Sequence, residues 1–260
     1  MLASVWLQHV EPGAPPYVHR TVPNGSIELS CRLGGEPRVV GPRSGPAVDV
    51  LAPGATLVGV RFRPGVPAAA IGATAAELVD RSAPAADLWG RPAASLGAAL
   101  AEAADAPALL EAHVAVRLHA HAGAVPDPVV AAAVLRLLPW RSPDVGGLPD
   151  ALAISDRQLR RRFQAALGFG PKALQRMLRF QGFLALVQQA LAEGRPPAPA
   201  GLARLAADAG YADQAHLTRE CARLMGIAPG AFLHEAEHHC APAHDHRASF
   251  APLLRPLATA

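Results

Sequence analysis

Four arginines crowd one short stretch of this 260-residue chain: Arg157, Arg160, Arg161 and Arg162 lie within S-D-R-Q-L-R-R-R-F-Q-A-A-L-G, Ser155 to Gly168. A guanidinium is a flat fork of N–H donors that stays charged, so grouped arginines suit phosphate oxygens or the O6/N7 edge of guanine. Leu159, Phe163, Ala166 and Leu167 recur at helical spacing in the same stretch. That stripe directs one side to a core and leaves Arg157, Gln158, Arg160 and Arg161 on the other. Ser155 suits an N-cap, Gln158 can reach back to the cap's own N–H, and Gly168 supplies a left-handed stop. A basic face of this kind is either solvated surface or a nucleic-acid surface. The elements around it decide which.

Upstream, Leu148–Ala153 reads as a short helix with Pro149 in its first turn, one residue before the Ser155 cap. Helix, tight turn and capped second helix is the helix-turn-helix plan. Downstream, Gly170-Pro171 opens a long helix, Lys172–Glu193, which the Pro-rich run Arg195–Ala200 ends. The plan then repeats. Leu202–Ala209 is a helix, Gly210-Tyr211-Ala212 a turn, Asp213 a cap, and Gln214–Met225 a helix with Leu217, Cys221 and Leu224 facing in. Gly226 ends that helix, and Pro229 begins a last one, Gly230–Glu237. A bridging helix of about 20 residues spans roughly 30 Å. One turn of B-DNA is about 34 Å, so two such helices can enter successive major grooves.

The phrases S-D-R-Q-L-R-R-R-F-Q-A-A-L-G-F-G-P-K-A-L and A-G-Y-A-D-Q-A-H-L-T-R-E-C-A-R-L-M-G-I-A-P-G-A-F are similar, in order and spacing, to the two signatures of the AraC/XylS-type regulators. The resemblance covers about Gly147–Leu233. It implies that base and phosphate contacts come from the exposed sides of the two recognition helices: Arg157, Arg160 and Arg161, with Gln158 beside them, and Gln214, Ala215, His216, Thr218 and Arg219. Ser155, Arg162, Lys172 and Arg176, with Arg179, are the candidates for phosphate contacts. Three features depart from the family pattern. Cys221 stands where an aromatic is usual, which implies looser packing of the second unit. Ala215 can offer only an apolar contact, such as to a thymine methyl. Arg195–Ala200 lengthens the connection between units. The second face is also poorer in charge, so the first unit is expected to supply more of the affinity.

The first half reads differently. Alternating runs at Ser4–Val10, Ser26–Leu33, Arg38–Val40, Ala47–Leu51 and Thr56–Phe62 are separated by Gly/Pro turns, the pattern of a small antiparallel β-sandwich or barrel. Short helical pieces follow at Ala68–Ile71 and Ala75–Val79, then alanine-rich helices at Ala93–Ala104 and Pro107–His121. V-P-N-G-S-I-E-L, V-V-G-P-R and G-V-R-F-R-P-G resemble an uncharacterised β-rich domain that precedes such helix pairs in bacterial regulators. No phosphate loop, nucleophile turn or paired-histidine metal pattern is present. No catalytic residue, metal or cofactor is expected. Glu28, Arg43, Arg61 and Arg63 are the candidate lining of a ligand pocket, and His113, His119 and His121 read as solvated histidines.

The expected fold class is α+β: a small antiparallel β-sandwich or barrel domain with helices, then an all-α domain of two helix-turn-helix units joined by a linker helix. The expected boundaries are 1–122 for the sensory or dimerisation domain, 123–147 for a connecting helix (Pro128–Leu138) and loop, 148–237 for the helical pair and 238–260 for a disordered tail. The tail's Glu237–His246 run is rich in metal-ligand types but irregular. Net charge is only +3 with 17% charged residues, so any basic surface is local. Cys31, Cys221 and Cys240 are too few and too scattered for a disulfide framework. With no signal peptide and no apolar run of about 18 residues, a cytoplasmic location without membrane contact is expected. The leading reading is a transcription regulator, activator or repressor, with double-stranded DNA as partner. RNA polymerase, an unknown small-molecule effector and a second copy in a homodimer are further partners. The alternatives are a ligand-binding or protein-interaction module with weak DNA binding, and an enzyme of the β-domain.

Overall fold

The structure is a computed structural model that describes residues 2–141, 144–194 and 201–239. The N-terminal runs form β1 (Leu2–His9), β2 (Tyr17–Thr21), β3 (Glu28–Arg32), β4 (Arg38–Val40), β5 (Ala47–Leu51) and β6 (Thr56–Phe62). Two one-turn helices follow, α1 (Ala68–Ile71) and α2 (Ala75–Leu78), and then a short strand β7 (Ser82–Pro84). Every pairing is antiparallel. Five strands make one open sheet in the order β1-β6-β3-β4-β7, and β2 and β5 make a separate two-stranded ribbon. Sequence periodicity misses β2 and β7. Tyr17–Thr21 shows no inside-outside contrast because most of its residues are half-buried, and Ser82–Pro84 is too short to show a period.

Register explains the core. Leu29 lies opposite Val39 on one side and Val60 on the other, and Val60 is in turn opposite Val5. Leu29, Val39, Val58 and Val60 are wholly buried. Helices cover this face: α3 (Ala85–Trp89), α4 (Arg91–Ala94), α5 (Leu96–Glu102) and α6 (Ala106–Ala120). Ile71, Trp89, Leu100, Leu110 and Val114 join the same apolar cluster. The single helix expected over Ala93–Ala104 is broken at Ser95. Just beyond the break Gly97 meets the turn after β3, where a Cβ would come within 2.4 Å of the Gly35 carbonyl oxygen.

On α6, His113 is not simply solvated. It stacks on Trp89 with ring centroids 6.2 Å apart, while the Arg117 guanidinium lies 4.6 Å over the same indole and donates to the Ala70 carbonyl. Burial, and then Arg117, push the His113 pKa down. His121 approaches the Arg117 carbonyl through Nδ1 at 2.9 Å.

The remaining helices are α7 (Pro128–Arg136), α8 (Leu148–Ala151), α9 (Asp156–Leu167), α10 (Pro171–Ala192), α11 (Leu202–Asp208), α12 (Gln214–Met225) and α13 (Pro229–His239). They build two apolar clusters. Val130 and Ala133 of α7, with Leu137 at its C-cap, join Leu148, Leu159, Phe163, Leu167, Leu174 and Met177. Helix α7 is therefore part of the first unit's core as well as a connection to it. Phe180, Phe183, Leu184 and Val187 join Leu202, Leu217, Cys221, Leu224 and Leu233. Helix α10 thus gives its first half to one core and its second half to the other. The Pro-rich run 195–200 and the tail from residue 240 lie outside the described residues, as do the side chains of 236–239.

Candidate nucleic-acid interface

The two short helices α9 and α12 are built alike. Each has 12 residues and an extended N-cap whose side-chain oxygen accepts a backbone N–H, and each ends on a left-handed glycine. At α9 the cap is reciprocal. Ser155 Oγ accepts from the Gln158 N–H at 3.2 Å, and Gln158 Oε1 accepts from the Ser155 N–H at 3.0 Å. At α12 Asp213 accepts from the His216 N–H at 2.6 Å. These bonds satisfy N–H groups that a helix start leaves without partners. In the turn before α9, Ala153 is left-handed at φ +52; before α12 a glycine, Gly210, is left-handed at φ +78.

Matched position by position, Leu159 corresponds to Leu217, Phe163 to Cys221 and Leu167 to Met225, and all are buried. The opposite sides are open. Arg157, Gln158, Arg160 and Arg161 on α9 are exposed, as are Gln214, Ala215, Thr218 and Arg219 on α12. His216 is half-buried, set edge-on against Tyr211 at 5.1 Å. Thr218 Oγ1 donates back to the Gln214 carbonyl at 2.9 Å. Arg160 pairs with Asp156 at 2.8 Å, but these side chains are 71% and 58% exposed. Such a pair is worth little and leaves the guanidinium available. Helix α10, at 22 residues, has a rise of about 33 Å, close to the pitch of B-DNA.

The remaining site candidates are placed less simply. Ser155 and Gln158 have capping work, so the Gln158 amide offers only its N–H₂ outward. Lys172 is exposed. Arg162 is not a free phosphate ligand: it donates to Asp127 at 2.7 Å, tying α9 to the start of α7. Burial alone would raise the Asp127 pKa, but the Arg162 hydrogen bond and the Val130 and Val129 N–H groups hold it below the usual carboxylate range. Arg176 is also engaged, gripping Glu220 of α12 with two bonds of 2.9 Å. The next arginine on α10, Arg179, lies over the Tyr211 ring at 5.6 Å. The looseness expected at Cys221 is absent. The residue is wholly enclosed, and α10 supplies aromatic bulk through Phe180 and Phe183 in the same cluster. Burial, and secondarily Glu220, push its thiol up to about 12, so it stays protonated and unreactive at neutral pH.

In the N-terminal domain two of the four pocket candidates are paired with each other. Glu28 and Arg61 face each other across β3 and β6 and pair at 2.7 Å, with Asn24 donating to the same Glu28 oxygen at 3.1 Å. Burial opposes the Glu28 charge, yet Arg61 and Asn24 hold its pKa down. Arg63 donates to the Leu2 carbonyl at 3.1 Å. The Arg43 Nε is buried without a hydrogen-bond partner among the described residues. Two of the surface clefts among the described residues are lined by none of these four. The first lies between Gly65–Ala68, Val125–Asp127 and the Arg161–Ala166 side of α9.

Residues 148–235 match a family described as a helix-turn-helix domain. Over 127 residues the chain is 35% identical to an AraC-like transcription regulator of Streptomyces lividans. The C-terminal part is thus similar to helix-turn-helix domains, and part of the chain is similar to an AraC-like regulator. The aligned region is 47% of this chain and 39% of that relative's length. Ahead of the helix-turn-helix match, residues 1–84 match a domain of unknown function, DUF6597. Two structures of ToxT from Vibrio cholerae resemble the fold with TM-scores of 0.48 and 0.47 at 10% and 9% identity; each match covers 89% of this chain, and 96% and 97% of the ToxT chains.

The positions around the helix-turn-helix units that sequence reading does not single out are Arg20, Gln181, Glu220 and Glu235. All four hold elements together, and their partners lie between 44 and 215 residues away in sequence. No local pattern marks them. Asp127 is legible as the cap of α7, but its bond to Arg162, 35 residues on, is not.

Proposed function

We propose that this chain is a sequence-specific DNA-binding transcription regulator that lays α9 and α12 into successive major grooves. One observation carries the reading: two helices of equal length, capped the same way and joined through α10, turn their apolar sides into separate cores and leave Arg157, Arg160, Arg161, Gln214, Ala215, Thr218 and Arg219 open to solvent. Arginine suits guanine O6 and N7, glutamine suits adenine, and Ala215 offers an apolar contact to a thymine methyl. Ser155 and Lys172, beside the first face, suit backbone phosphates, which fix register without reading sequence.

The reading makes double-stranded DNA the partner and gives the β-rich domain a controlling role, through a small-molecule effector or a homodimer contact. RNA polymerase is the downstream partner of such a regulator, and the cytoplasm its place of action. Among the described residues no helix is long and apolar enough to cross a membrane.

Selection of bound duplexes from a random library tests the proposal. A bipartite motif with halves about one helical turn apart is the expected result. Recovery of unenriched sequence overturns it.

A further inference from the structure

Both recognition helices end against the N-terminal domain. Gly168, after α9, is seated on α2 and the residue beyond it; a Cβ there would fall 2.3 Å from Val79 Cγ2 and 3.2 Å from the Ala75 carbonyl oxygen. Gly226, after α12, lies beside Pro46. The second end is also held by a charge. Arg20, on β2, donates through Nη1 to the carbonyl of Met225, the last residue of α12, at 3.4 Å. The same guanidinium donates through Nε and Nη2 to Glu235 of α13 at 3.3 and 3.1 Å. Its side chain is 17% exposed.

This geometry is a helix cap supplied from another domain. The last carbonyls of a helix have no partners within it and carry the negative end of the helix dipole, which a guanidinium complements. The segment after β2 continues the hold. Val22 packs on the second unit's cluster, and the Pro23 carbonyl accepts from the buried Gln181 of α10 at 3.0 Å.

We propose that Arg20 is a positioning residue for DNA reading: it fixes α12 relative to α9 by tying the α12–α13 corner to the same domain that seats the end of α9. The proposal rests on the DNA-binding reading above. It makes the β-rich domain a spacer between the two reading helices, so any event that moves the β2–β5 ribbon alters the spacing.

The test uses the full chain, the bipartite duplex obtained by selection, and a duplex with only the half read by α9. Arg20→Ala is expected to weaken binding to the bipartite duplex roughly tenfold, within the usual range of coupling between sites, and to leave binding to the single half unchanged. Arg20→Glu is expected to weaken it further, and Arg20→Glu with Glu235→Arg to recover most of the loss. Equal binding of the bipartite duplex by Arg20→Ala and the unaltered chain overturns the proposal. So does an equal loss on both duplexes without recovery in the double variant, which would make Arg20 a residue of general stability. If the unaltered chain selects no duplex, the DNA-binding reading falls and this one with it.

Discussion

The two helix-turn-helix units share a length, a cap and a left-handed stop, yet they use their charges differently. In the first, Arg157, Arg160 and Arg161 face solvent, Arg160 in an exposed pair with Asp156 of its own helix, and Arg162 is committed to Asp127. In the second, the positions matching Arg157, Arg160 and Arg162 are Ala215, Thr218 and Glu220, and Glu220 is spent on Arg176 of α10. The first unit presents a charged helix on an apolar mount. The second presents a nearly neutral helix held by ion pairs, Arg176 of α10 with Glu220 and Arg20 with Glu235 of α13. Duplicating a fold therefore does not duplicate its charge: under the proposed DNA-binding reading, phosphate attraction concentrates in one copy and the other is left to select sequence.

Core packing gives the largest test of that contrast. Phe163 and Cys221 occupy matching, wholly buried positions. Phe163→Ala is expected to cost about 3–5 kcal/mol by urea unfolding, the range for a buried phenylalanine. Cys221→Phe is expected to cost about 1–3 kcal/mol, because the site is filled and a larger ring forces displacement. A stabilised Cys221→Phe protein would mean that the second unit has room to spare and that Phe180 and Phe183 do not fill it.

The C-terminal glycines come next. Both are left-handed at φ +75, so alanine at either position costs roughly 1–2 kcal/mol in backbone strain. Gly168 is also buried against Val79, whereas Gly226 has its nearest neighbour at 3.5 Å. Gly168→Ala should add about 1–3 kcal/mol for the clash, making it visibly worse than Gly226→Ala in melting temperature. Equal costs would show that α2 does not bear on the end of α9.

Binding separates the units in another way. The slope of log affinity against log salt should fall by about 2 for Arg160→Ala with Arg161→Ala, and by about 1 for Arg219→Ala. Identical slopes for all three proteins would remove the phosphate role from both helices.

Much of this was legible in the sequence because it is local. The boundaries of α12 match those read from Asp213 and Gly226 residue for residue, and those of α9 follow from Ser155 and Gly168. Caps, periodic apolar residues and glycine stops act within a few positions. The β-domain was legible as strands but not as a sheet order, because β7 is three residues long and the β2–β5 ribbon shows weak contrast. The roles of Arg162 and Arg176 were not legible. Each looks like one more cation on a basic surface until Asp127 and Glu220 are brought beside it, and those partners are set by how helices pack. The same holds for Arg20, whose partner lies near the far end of the described chain.

The smallest expected effect concerns how α9 is tied to α7. Asp127 both caps α7 and accepts from Arg162, and Asn at this position keeps the cap while removing the charge. The folded pKa of Asp127 is depressed, so between the folded and unfolded values the unfolded chain binds more protons. Stability from this group is therefore present above the unfolded value of about 3.9 and is lost as pH falls through the folded one. The two side chains are 26% and 40% exposed, and solvent screening keeps the contribution below about 1 kcal/mol. Asp127→Asn should thus be slightly less stable than the unaltered chain near neutral pH by urea unfolding. The difference should begin to shrink as the pH drops below about 4 and vanish once it is below the depressed folded value. A difference that persists unchanged in acid would place the effect in the cap rather than in the ion pair, and the first unit would then be mounted by apolar contact alone.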